Sequence, residues 1–325
     1  MKKTLLLLTV ALGSAAVHAQ SSTTLYGTID TGLVVEGGGP KGWGVNMSSG
    51  IQDTDRWGIA GSEDIGNGVK VIFKLEEGFL SNNGTTSVAG DAFNRGAYVG
   101  ISSQYGTFKM GRDYTPTYLA LGDVSPFGNA FSGPIVLFAG EKGGTWASNQ
   151  LIYDTPQLGG FSGIFSYSPG GVPGSLSDSQ QFGFSLGYHT GGLKLQYAHY
   201  QFNNTTATDT SREDLLTARY DFGFATAYLG FGVDREPGTA DFRDFHVGIS
   251  KRWNINNLLY IAYEYKNDMD GHAMNVSGVI VNYAYYLSKQ TNLYLAGMVL
   301  SNTRYSTTKF GSGSREFDVG IRHLF

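Results

Sequence analysis

Apolar and polar positions alternate with a period near two along almost the whole chain, and the alternation restarts at intervals of roughly twenty residues. Leu25, Gly27, Ile29, Thr31, Leu33 and Val35 interleave with Tyr26, Thr28, Asp30 and Gly32. Val69, Val71, Phe73 and Leu75 interleave with Lys70, Ile72, Lys74 and Glu76. Comparable runs cover 182–188, 216–220, 245–249, 259–265 and 317–325. A strand sends successive side chains to opposite faces. Each run therefore predicts a strand with one apolar, aromatic face and one small, polar or charged face. A soluble sandwich would bury the apolar face in its core. A membrane barrel would turn the same face to lipid and line water with the other. Alternation alone fits both.

The connections separate them. Residues 103–106, 190–192, 222–223, 254–257 and 288–292 are short turns, whereas 37–54, 78–92, 169–179, 203–213, 234–244, 267–273 and 303–314 are longer, polar and glycine-rich. Short and long alternate, as in a meander with tight turns at one membrane face and long loops at the other. Roughly sixteen strands result, an even number that brings both termini to one side. Tyr26, Trp57, Tyr105, Tyr153, Tyr220, Trp253, Tyr260, Tyr285, Tyr286 and Phe325 fall near strand ends, where interfacial girdles place aromatics. No linker, low-complexity tract or charge block divides the chain. The expectation is one all-β domain, a transmembrane antiparallel β-barrel.

Composition then narrows the compartment. Lys2 and Lys3 precede an apolar run over 5–12, and Val17-His18-Ala19 offers the small residues of a cleavage site. Residues 1–19 read as an export signal peptide and 20–325 as the mature barrel. The apolar run is too short to span a bilayer as a helix. Losing Lys2 and Lys3, the only charged side chains of that leader, takes the net charge from −4 to −6. A mildly acidic chain has no electrostatic basis for binding nucleic acid. With no cysteine, disulfides and thiolate metal sites are excluded; closure of the hydrogen-bond ladder must stabilise the fold instead. Glycine, 47 of 325 residues, is about twice its usual ~7 % share, which suits many strands and turns.

Enzyme motifs do not survive inspection. The stretch 37–42 formally reads G-x-G-x-x-G, but Pro40 and its glycine-rich surroundings give no helix to follow it. HExxH, GxSxG, Walker A and zinc spacings are absent, and the six histidines are scattered. Asn267-Asp268-Met269-Asp270-Gly271 is acidic but lacks the full calcium-loop pattern. No cofactor is implied.

Several stretches, in order along the chain, resemble one family. They are 24–30 (TLYGTID), 55–66 (DRWGIAGSEDIG), 93–100 (FNRGAYVG), 106–112 (GTFKMGR), 286–294 (YLSKQTNLY) and 319–325 (VGIRHLF). Each alone is weak; together they span the mature chain and resemble the trimeric general porins of Gram-negative outer membranes, β-proteobacterial branch. The resemblance implies a sixteen-stranded barrel, a homotrimer in outer-membrane lipid and lipopolysaccharide, and passive diffusion of ions and small hydrophilic solutes.

A pore needs a narrow place and a field across it rather than a catalytic group. The longest gap in the strand pattern runs from Tyr114 to Ala147, and a loop of that length is usually functional. It corresponds to the family's inward-folded constriction loop, and its apolar residues, Leu119 to Phe138, suit packing on an inner wall. Arg56, Arg95 and Arg112 match the family's wall arginines. Arg56 and Lys74 lie on polar faces of their strands, since an arginine facing lipid at mid-membrane costs about 2–4 kcal/mol. Glu76 and Asp30 are the candidate salt-bridge partners. Arg112 shares the parity of Phe108 and Met110, which points it outward in a straight strand. The family's loop acid is replaced in Ser125-Pro126-Phe127-Gly128, leaving Asp123 and, further on, Glu141. Trp146 stands where a further wall arginine is often found. The expected constriction is weakly anion-preferring, resting on Arg56 and Arg95. Phe325, ending an apolar alternation, resembles the signal read by the barrel-assembly machinery. Competing readings are a solute-specific channel and a barrel enzyme, the latter drawing on Asp241, His246 and Ser250.

Overall fold

The computed structural model describes residues 21–40, 42–129, 144–238, 241–301 and 313–325. Six strands come first: β1 (Ser21–Gly38), β2 (Gly44–Ser49), β3 (Arg56–Gly66), β4 (Val69–Gly78), β5 (Gly96–Ser103) and β6 (Gly106–Tyr114). A short helix, α1 (Pro116–Leu121), and a 3-10 turn (Gly122–Val124) follow. The meander resumes with β7 (Trp146–Asp154), β8 (Phe161–Ser168), β9 (Gln181–Thr190), β10 (Leu193–Asn203), β11 (Thr210–Asp221) and β12 (Thr226–Arg235). It ends with β13 (Asp241–Arg252), β14 (Asn257–Asp268), β15 (Val276–Tyr286), β16 (Thr291–Leu300) and β17 (Gly313–Leu324).

All of these pair antiparallel in one sheet, and β1 closes it against β17. The closure extends to the last residue: the Gly27 amide donates to the Phe325 carbonyl at 3.0 Å, and the Phe325 amide to the Gly27 carbonyl at 3.1 Å. Closing β1 on β17 pairs the two strands that would otherwise be free edges, which a bilayer would leave without hydrogen-bond partners.

The seventeen segments make sixteen staves, because β2 and β3 are two parts of one. Both pair with the same edge of β1, β2 opposite Thr31 to Glu36 and β3 opposite Ser21 to Thr28. Between them residues 50–55 leave the wall and turn inward. Ile51 packs on Val34, Tyr294 and Ala296, while Gln52 and Asp55 are fully buried. The sequence pattern places one loop over 37–54; the structure instead carries β1 to Gly38 and fits β2 inside that span. The signal was there but short. Val45 and Met47 face outward on either side of Asn46, within a run too rich in glycine and serine to show a period.

The alternation resolves as a lipid face and a lumen face. On β13, Phe245, Val247 and Ile249 are exposed while Asp244, His246 and Ser250 are buried. On β17, Phe317, Val319 and Ile321 are exposed, as is Phe325 just beyond it, while Glu316 and Asp318 are buried. Aromatics gather at the short-turn end. Phe161 and Tyr188 meet at 4.6 Å, as do Tyr220 and Phe222, and the Tyr153 hydroxyl donates to the Tyr105 carbonyl at 2.5 Å. Two of the aromatics expected in the girdle are elsewhere. Tyr26 and Tyr260 have lumenal parity and spend their hydroxyls on Glu76 and Val124.

Candidate pore constriction

The inward loop begins where β6 ends. Thr115 caps α1, its hydroxyl accepting from the Tyr118 amide at 3.3 Å, and Pro116 occupies the first turn, where its missing N–H costs nothing. The helix lies on the inner wall of β9 to β11, with Ala120, Leu121 and Val124 packed among Ala198 and Leu215. Three further contacts fix it. Lys194 on β10 holds Asp123 at 2.7 Å. The Tyr260 hydroxyl donates to the Val124 carbonyl at 2.9 Å. Phe127 meets Tyr260 edge-on at 6.4 Å and also packs on the cluster of Val34, Ile51, Tyr294 and Ala296. The loop and the 50–55 excursion therefore meet inside the barrel.

Tyr260 belongs to a buried chain. Its oxygen lies 2.9 Å from His246 Nε2, and His246 Nδ1 lies 2.9 Å from Glu264 Oε1. The tyrosine proton is committed to a carbonyl, which only accepts, so Nε2 is the donor to the tyrosine oxygen. One further proton lies between Nδ1 and the Glu264 carboxyl group.

The sequence-predicted wall residues stand in different states. Arg56 reaches the lumen with 22 % side-chain exposure and forks onto Asp53, Nη1–Oδ1 at 2.7 Å and Nη2–Oδ2 at 3.2 Å. Arg95 exposes 4 %. Its Nε donates to Glu76 at 3.0 Å, its Nη2 to the Tyr114 hydroxyl at 2.8 Å, and the guanidinium lies 5.0 Å from the Trp146 ring. Lys74 sits 3.2 Å from Asp113, over the rings of Tyr98 and Tyr114. Gly96 makes room for it, since a Cβ there would stand 2.4 Å from the lysine Cε. Arg112 falls at a register shift between Gly111 and Asp113. It donates to the Asn94 carbonyl at 2.6 Å and the Ser148 hydroxyl at 2.8 Å, apart from the Lys74 and Asp113 pair. Glu141, with the loop's apolar 131–138 stretch and the leader, lies outside the described residues.

Sequence reasoning missed several participants. Lys109 joins Asp113 at 2.8 Å and Asp154 at 3.2 Å. Arg322 on β17 stands 3.6 Å from Asp53, and Lys194 was not connected with Asp123. Arg322 does alternate with Ile321 and His323, so its lumenal parity was readable; its partner was not. The Asp241, His246 and Ser250 grouping is not assembled as a triad: His246 bonds Glu264 and Tyr260, and Ser250 bonds Tyr228 at 3.0 Å.

The Gram-negative porin family matches residues 4–305. Among curated relatives, a major outer membrane protein P.IB of Neisseria meningitidis serogroup B is 33 % identical, with both chains covered in full. An outer membrane porin protein of Bordetella pertussis is 28 % identical and outer membrane porin protein 32 of Delftia acidovorans 29 %, again over the full length of both chains. Among solved structures, an anion-selective porin from Comamonas acidovorans superposes with a TM-score of 0.79 at 24 % identity, over 94 % of this chain and 100 % of that one. A closed antiparallel barrel with an inward loop, matched by the family over nearly its whole length and by an end-to-end relative at one-third identity, places the chain in the Gram-negative porin family, the non-enzymatic channels of the outer membrane.

Proposed function

We propose that this outer-membrane porin works as a homotrimer and that its constriction prefers anions weakly. In this reading residues 1–19 are an export leader and 20–325 one barrel. The 114–147 loop narrows the lumen, carrying Asp123 and Glu141. Arg56, Arg95, Arg112 and Lys74 form the basic side. Lipopolysaccharide surrounds the trimer, and Phe325 addresses the chain to the barrel-assembly machinery.

One observation carries the ion preference. The loop carboxylate that would oppose the basic wall, Asp123, is bound to Lys194 at 2.7 Å, so its charge is balanced on the far wall. Meanwhile Arg56 and Arg322, on the two strands that flank β1, share a single carboxylate, Asp53, so that stretch of the wall carries more cations than anions. A narrow pore with fixed cations on one side concentrates counter-ions of the opposite sign. The test is planar-bilayer recording in a potassium chloride gradient. Conductance steps in threes support the trimer. A reversal potential on the anion side supports the preference, and an Arg56→Ala/Arg95→Ala double variant with unchanged selectivity refutes it.

A solute-specific channel remains a second reading on one feature. A polar pocket of about 280 Å³ lies beneath Pro126, lined by Asp221, Thr226, Tyr228, Ser250 and Arg252. Saturation of the current by a small polar solute would favour it; strictly linear flux favours general diffusion.

A further inference from the structure

We infer that Asp53 is a tethered counter-ion occupying an oxyanion site built by Arg56 and Arg322, and that these three side chains tune the ion preference of the pore. The inference rests on the anion-preferring reading only for its sign in the wild type, since the direction of each substitution follows from the geometry alone.

The two arginines flank β1. Arg56 opens β3, paired opposite Thr28; Arg322 lies on β17, paired opposite Asp30. Both reach one carboxylate, Arg56 through two contacts at 2.7 and 3.2 Å and Arg322 through one at 3.6 Å. Two guanidinium groups converging on two oxygens of one planar anion is the recognition geometry of carboxylates and phosphates. The occupant here is the chain's own.

The carboxylate is not part of the wall. Asp53 stands on the 50–55 excursion, with its amide donating to Asp30 Oδ2 at 2.5 Å. The same excursion orients the second arginine. Gln52 Oε1 accepts from Asn292 Nδ2 at 2.6 Å, and Asn292 Oδ1 accepts from Arg322 Nε at 3.1 Å. Acid and arginine are therefore positioned by one network.

Exposure separates this group from the Arg95 and Glu76 pair. Asp53, Arg56 and Arg322 leave 22 %, 22 % and 17 % of their side chains open, whereas Arg95 and Glu76 leave 4 % and 6 %. The Arg95 and Glu76 pair is sealed in the wall and electrically balanced. The triad meets permeating ions with a net charge of +1, two guanidiniums against one carboxylate. Asp53→Asn raises that to +2 and leaves both arginines facing an uncharged amide.

The experiment is reversal-potential and single-channel recording on refolded full-length protein in about 0.1 M salt, where charges act over about 10 Å. Removing one unit charge within several ångströms of the ion path changes the chloride-to-potassium permeability ratio by about two- to fivefold. Asp53→Asn should raise the ratio by that factor and Arg322→Ala should lower it. In Asp53→Asn, millimolar inorganic phosphate or acetate should block the chloride current, and in the wild type it should not. Arg322→Lys should stay near the wild type. If Asp53→Asn does not fold, the contrast between Arg322→Ala and Arg322→Lys decides. A cation-selective wild type whose Asp53→Asn variant still shifts towards anions removes the anion-preferring reading and keeps the site. A folded Asp53→Asn channel with wild-type selectivity and no phosphate block, or an Arg322→Ala channel indistinguishable from Arg322→Lys, overturns the inference.

Discussion

Tyr260→Phe is the substitution that isolates the anchor of the inward loop. The change removes one oxygen and keeps the ring, so the edge-on contact with Phe127 and the buried apolar surface are retained. Two partners are stranded. The Val124 carbonyl loses its donor and His246 Nε2 loses its acceptor, both at 2.9 Å in the native chain. Tyr260 and Val124 are fully buried and His246 nearly so, and an unsatisfied buried polar group costs about 1–3 kcal/mol. Two of them cost about 2–6 kcal/mol together if water does not enter. Even the lower figure changes the ratio of anchored to released loop by about thirtyfold. The assay is single-channel recording, with heat-modifiable gel migration to confirm an intact barrel. Tyr260→Phe should show noisier open current and closure at lower voltage. Tyr228→Phe is the control. Its hydroxyl bonds Ser250 and leaves the Val124 carbonyl paired, so it should behave as the wild type. A Tyr260→Phe channel with native noise and closing voltage would show that this bond does not hold the loop.

Three further outcomes are expected. Arg95→Ala leaves Glu76 buried without its cation and should cost about 3–5 kcal/mol in urea unfolding; adding Glu76→Gln should recover most of it, and no recovery would mean the loss came from the Trp146 contact. Lys194→Ala releases the Asp123 charge to the lumen and should move the reversal potential towards cations; an unchanged potential would put Asp123 out of reach of the ions. Deleting Phe325 removes the backbone pair with Gly27 and the terminal aromatic, so the yield of heat-modifiable trimer should fall sharply, with normal yield counting against any assembly role.

The lipid and lumen faces were legible in the sequence because alternation is a local property. Phe245, Val247 and Ile249 needed only their immediate neighbours to be read as one face, and Arg56 and Lys74 were placed on the polar face by the same rule. Pairings were not legible, because they join distant positions. Asp53 meets Arg322 from the opposite end of the chain, and Asp123 meets Lys194 across the lumen. Arg112 shows how a local irregularity defeats the period. Gly111 has φ +141°, Asn149 on the neighbouring strand has φ +58°, and the register shifts between Gly111 and Asp113. A glycine strand position is a known sign of such a bulge, although it does not say where the displaced side chain goes. The split second stave was lost for a different reason: its upper half holds only two outward apolar residues, Val45 and Met47.

The excursion at 50–55 also separates two demands that a barrel usually makes of the same residues. Wall strands fix strand tilt, stagger and diameter together, so changing their length disturbs closure. The ladder is already open where residues 50–55 leave it. Carboxylates tie the segment to its surroundings instead, Asp30 Oδ2 accepting from the Asp53 amide at 2.5 Å, Asp55 Oδ1 from the Asp30 amide at 2.5 Å and Asp55 Oδ2 from the Ser81 amide at 2.9 Å. Residues can be exchanged or added in this segment while β2 and β3 keep their register on β1. The bore can therefore be reshaped by variation in a few residues of one short insert, with the sixteen-stave wall left alone.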